Sequence, residues 1–143
     1  MSSRTETFSQ LQAAQAQLER ALALYLDEHD YLCAITLAGA ADEVLGKMVE
    51  SRGGMHQLHQ EASALDKIGR KFVGKEVSRK DAIANLNEVR DWLKHFKEDA
   101  RLSFDPRDAA HDMLNRAVGN MIALTNNASP LMQRFYEKRG SDV

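Results

Sequence analysis

Hydrophobic positions recur along most of this chain at helical intervals, broken by a small number of sharp polar or glycine signals. Phe8, Leu11, Leu18, Leu22, Tyr25 and Leu26 fall on one stripe with Ala14 and Ala21, which predicts a helix from about Thr7 to Glu28 with Gln12, Glu19 and Asp27 on its wet face. Asp30 is a candidate N-cap for a second helix that ends near Ser51, before the Gly53-Gly54 breaker. So short a connection makes the two helices antiparallel neighbours. A short helix over Ala62 to Phe72 carries Leu65, Ile68 and Phe72. Ser78 caps a stronger one from Arg79 to about Lys97, with Ala82, Ile83, Leu86, Val89, Leu93 and Phe96 on its apolar side. Asp105-Pro106 opens a helix that continues through Met113, Ala117, Met121 and Leu124 to Asn127, because an Asp cap and a first-turn Pro both favour that start. Ser129-Pro130 repeats the punctuation before a final short helix with Leu131, Phe135 and Tyr136.

No stretch alternates in the manner of a strand, so the expected fold is all-α: an antiparallel bundle of about four main helices plus one or two short ones. Length and composition agree. The 143 residues suit one domain, 1–143, with 140–143 frayed, and 43% hydrophobic against 28% charged residues describe a globular chain. A formal charge of -2 supplies no global attraction to nucleic acid or anionic lipid, so any such affinity needs a local patch. No apolar run approaches membrane-spanning length, and the start carries no secretory-type leader. With the single Cys33 unable to form an intrachain disulfide, the expected location is cytoplasmic.

Chemistry first suggests itself on the second helix, where Ala34, Leu37, Ala38, Ala41, Val44, Leu45 and Met48 cover an arc broad enough for several neighbours. At 100° per residue, Ile35, Gly39, Asp42 and Gly46 share one edge of that arc, where the glycines permit close approach of another backbone. Asp42 is therefore expected to be enclosed and to need a donor or an opposite charge, with Arg90 as a candidate. A purely structural pair or an open position fits the same pattern. On the Arg79–Lys97 helix, Asn87, Arg90, Asp91, Lys94 and His95 occupy the side opposite the apolar stripe. Asp91 and His95 are four apart and within reach, whereas Arg90 and His95 diverge by about 140° on an ideal helix. One copy does not gather them into a compact stripe; a cleft or a symmetry mate would. An exposed face with i,i+4 charge pairs remains the alternative. Trp92 beside them is read as packing or as a surface for a base. No metal site is expected, since His56, His59 and Glu61 match no ligand spacing, and Cys33 reads as a small packing residue.

The segment Arg90-Asp91-Trp92-Leu93-Lys94-His95 resembles the Arg, polar residue, short spacer, His signature of the HEPN superfamily, small all-helical proteins of prokaryotic toxin-antitoxin and defence systems. Chain size and the Ala- and Gly-rich second helix add to the resemblance. It implies a homodimer whose two Arg/His sets form a cleft that cuts RNA without a metal ion or other cofactor. Arg90 and His95 then take the catalytic roles, His95 moving a proton and Arg90 stabilising charge on phosphoryl oxygens. Asn87, Asp91, Lys94 and Asp42 are the supporting residues. Lys67, Arg70, Lys71, Lys75, Arg79 and Lys80, set against only Asp66 and Glu76, form a candidate nucleic-acid patch or a solvated linker. The same resemblance admits a non-catalytic interaction module whose partner is an antitoxin or a nucleotidyltransferase-like protein.

Overall fold

Ser9 begins the first helix with a reciprocal cap: its Oγ accepts the Gln12 N–H at 3.0 Å, and the Gln12 side chain accepts the Ser9 N–H at 2.8 Å. Helix α1 runs Gln10–Ala23 in this computed structural model, which describes residues 4–53 and 79–141. Phe8, expected on the core stripe, precedes the cap and is 66% exposed. Over Leu24–Glu28 the helix widens into one π turn, and Leu24, Tyr25 and Leu26 are all buried there. His29 then ends it in the left-handed conformation at φ 56°. Asp30 accepts the Cys33 N–H and starts α2, Tyr31–Ser51, so α1 and α2 form the expected antiparallel hairpin.

Helix α3 spans Arg79–Lys94, α4 Pro106–Thr125 and α5 Pro130–Ser141. The described residues form an all-α bundle, two of whose helices, α2 and α4, are long and make its most extensive contact. Asp105 accepts the Asp108 N–H at 3.1 Å with Pro106 in the first turn of α4, and Asn126 closes that helix at φ 51°. Ala34, Ala38, Ala41 and Leu45 of α2 are buried with Ala110, Leu114, Ala117, Val118 and Met121 of α4, and Leu18 and Leu22 of α1 complete the centre. So many alanines let α2 lie close to its neighbours. Among the described residues no helix is long and apolar enough to cross a membrane.

One boundary and one burial differ from the sequence pattern. Helix α3 stops at Lys94, before Phe96, which is 92% exposed rather than on the apolar side. Glu98 and Asp99 would place like charge at the negative end of a longer helix, and Asp99 adopts φ 57°, which breaks it. Cys33 is exposed, not packed. The short helix expected over 62–72 and the His56, His59 and Glu61 group lie outside the described residues, as do residues 142–143.

Candidate functional site at the end of helix α3

Helix α3 meets α2 through a gap that glycine leaves. A Cβ on Gly39 would come within 2.8 Å of Cγ and Cδ of Arg90, so the aliphatic stem of Arg90 occupies the space a side chain would take. Only 12% of the Arg90 side chain is exposed. The close approach expected at Gly39 is thus made by an arginine stem. At its tip, Nε and Nη2 donate to Asp91 Oδ1 at 3.3 and 3.2 Å. One turn later, Lys94 Nζ donates to Glu43 Oε2 of α2 at 3.2 Å, and that hydrogen bond holds the Glu43 carboxyl below its ordinary pKa. Arg90 and Lys94 therefore tie α3 to α2 by two points one helical turn apart.

Asp42 is buried, as its edge position predicts, but its partner is not Arg90. Asn120 Nδ2 of α4 donates to Asp42 Oδ1 at 2.9 Å, both residues being fully buried. Arg116, also fully buried, lies one turn before Asn120 on α4 and donates through Nη2 to Met113 Sδ at 2.8 Å. Asp42 thus belongs to a polar group inside the α2–α4 seam, where burial makes hydrogen bonding obligatory. Sequence reading missed Asn120 and Arg116, although their spacing of four and their place beside Met113, Ala117 and Met121 mark them as polar intrusions on an apolar face.

His95 follows the last residue of α3, its N–H still bonded to the Asp91 carbonyl at 3.1 Å, and its side chain is exposed. It lines a groove of about 600 Å³ with Glu88, Asp91, Trp92, Lys97, Ala100, Arg101 and Leu102. Arg90 is not in that wall; it touches it through Asp91. Among the described residues no hydrogen bond joins Arg90 to His95, and the Asp91 carboxylate serves Arg90. Asn87 is buried, and its Oδ1 accepts no hydrogen bond among the described residues. Arg79 and Lys80 sit in the first turn of α3. Lys67, Arg70, Lys71 and Lys75 lie outside the described residues.

The loop after α3 contributes what the spacing of residues did not announce. Trp92 Nε1 donates to the Ala100 carbonyl at 3.3 Å, and the indole meets Phe104 edge-on with ring centres 6.3 Å apart. This contact folds residues 95–105 back against α3 and creates the groove. Lys97 and Arg101 bring cations to its lining, offset in part by Glu88. Among the described residues no group of three or more His, Cys, Asp or Glu side chains has the arrangement to hold a metal ion. Comparison with protein-family models, curated proteins and solved structures finds no match.

Proposed function

We propose that this protein is a HEPN-type endoribonuclease whose site is built around Arg90 and His95 and completed by a second copy of the chain. The observation that carries the reading is their placement. His95 stands at the solvent-open end of α3 beside a groove that also holds Lys97 and Arg101, and Arg90 is fixed one turn earlier through its stem and its contact with Asp91.

The chemistry follows from those groups. In RNA the ribose 2′-oxygen attacks the adjacent phosphorus, forming an O–P bond as the bond to the 5′-oxygen of the next nucleotide breaks. The proton leaving the 2′-hydroxyl passes to an imidazole, and the departing 5′-oxygen takes one up, leaving a cyclic phosphate and a free 5′-hydroxyl. His95 moves both protons, taking the one that leaves the 2′-hydroxyl and, as imidazolium, giving one to the departing 5′-oxygen. The Arg90 guanidinium stabilises charge on the non-bridging oxygens, which requires it to exchange Asp91 for the phosphate. Lys94 adds to the field only when it leaves Glu43. Asn87 and Asp42 act from beneath, through the placement of α3 and of the α2–α4 seam.

The test is cleavage of mixed single-stranded RNA in chelator by wild type, Arg90→Ala and His95→Ala. Each variant is expected to lose at least about 100-fold in rate, the scale of a lost general acid-base or charge-stabilising group. Unchanged rates in both variants would overturn the assignment. An interaction module predicts no cleavage by wild type and no dependence on either residue.

A further inference from the structure

Two aromatic side chains near His95 are not accounted for by the core. Phe96 is 92% exposed and Trp92 38% exposed, whereas Leu93 is partly buried against the core. Trp92 is nevertheless held firmly, by its hydrogen bond to Ala100 and by the edge of Phe104, so its open surface is a fixed one. A second depression, of about 460 Å³, adjoins the first and is lined by Trp92, Leu93, Lys94, His95, Phe96, Lys97 and Ala100. Trp92, His95, Lys97 and Ala100 line both depressions. The candidate proton-transfer group thus stands on a ridge with an aromatic surface and an ammonium beside it, and with a depression to either side.

We infer that this ridge is a platform for single-stranded RNA, with one base stacked on Trp92 and the next on Phe96 so that the phosphate between them lies over His95. The inference rests on the ribonuclease reading and adds the binding mode to it. Charge complementarity selects the occupant. Lys97 lines both depressions, with Arg101 in the first and Lys94 in the second, against the carboxylates of Glu88 and Asp91, and Arg90 engages Asp91 until its guanidinium turns to the phosphate. Stacking tolerates any base because each has a π-face, and the groups on the ridge recognise phosphate and not a particular base edge. The site therefore takes short single-stranded segments with little sequence preference. A duplex keeps its bases paired and stacked and leaves neither ring an open face to contact.

Trp92 is the only tryptophan in the chain, so it reports its own occupancy. The experiment titrates the full-length protein with a short 2′-O-methyl RNA, which lacks the attacking hydroxyl and is not cleaved. Indole emission is followed alongside the anisotropy of an end-labelled strand. Saturable quenching is expected, with about a tenfold or greater loss of affinity in Trp92→Ala and in Phe96→Ala, and affinity restored in Trp92→Phe, which keeps a ring. Circular dichroism confirms that each variant folds. A strand that binds without changing indole emission, or binds Trp92→Ala and Phe96→Ala as tightly as wild type, overturns the platform. So does an emission change that follows protein concentration and not RNA, because the aromatic pair is then an interface between copies. Because the strand is not cleaved, the outcome is independent of turnover: quenching together with inactive wild type overturns only the nuclease reading, and turnover without quenching overturns only the platform.

Discussion

Gly39 shows how one missing side chain can decide where a functional group lies. In an α-helix, alanine is favoured over glycine by up to about 1 kcal/mol, so glycine in the middle of α2 has a local cost. The Arg90 stem fills the space that results, and a Cβ there would lie 2.8 Å from two of its carbons. Gly39→Ala gains helix propensity and must push that stem away. Thermal stability is therefore expected to change little, within about 1 kcal/mol, because the two effects oppose. RNA cleavage is expected to fall by about tenfold or more, since displacement by an ångström weakens a positioned charge steeply. Cleavage at the wild-type rate would show that Arg90 acts without this support. The periodicity already placed Gly39 and Asp42 on one edge of α2, and helical geometry alone made Asp42 an enclosed group. It offered Arg90 as the Asp42 partner and missed Asn120, because the partner reaches that edge from an element distant in sequence.

At the scale of elements, caps and breakers were the most legible signals. Asp30, Asp105 and Ser129 each accept a backbone N–H from the first turn of the helix they precede, so three starts marked by the sequence agree with local chemistry, whereas Ser9 caps α1 later than the start near Thr7 that the apolar spacing indicated. Helix ends were less legible where apolar spacing continued past the last hydrogen-bonded turn, as Phe96 does beyond α3. The groove could not be foreseen for the same reason, since it depends on the loop after α3 returning to Trp92. The short helix α5 illustrates which contacts hold an element in place. Phe135 is buried to 1% exposure against Tyr25 and His111, with ring centres 5.7 and 5.3 Å away, whereas the Arg134–Asp27 pair at 2.7 Å is half exposed on both sides. Phe135→Ala is expected to lower unfolding free energy by about 3–5 kcal/mol through lost burial and a residual cavity. Arg134→Ala should cost less than about 1 kcal/mol, since solvent screens an exposed pair. Denaturant unfolding of both variants checks the order, and an equal loss in the two would place the strength of the joint in the ion pair.

For the whole molecule, the decisive quantity is the number of chains in one working site. A single copy presents His95 at the groove and turns the Arg90 guanidinium onto Asp91, so the two groups do not meet within one chain's open surface. The net charge of -2 is compatible with that arrangement, since it is an average over the chain, in which Arg90 and Lys94 are each paired with a carboxylate. If each site takes Arg90 from one copy and His95 from the other, two dead variants can repair one another. In a dimer of Arg90→Ala with His95→Ala, one of the two sites lacks both groups and the other has both. Random exchange makes half of all dimers mixed, so equal parts of the two inactive proteins should recover about a quarter of wild-type cleavage after subunits are allowed to exchange. The recovered rate should rise from zero with the rate of exchange and fall when the mixture is diluted below the dissociation constant. A mixture that stays inactive, while light scattering shows mixed dimers have formed, would place Arg90 and His95 of the same chain in each site.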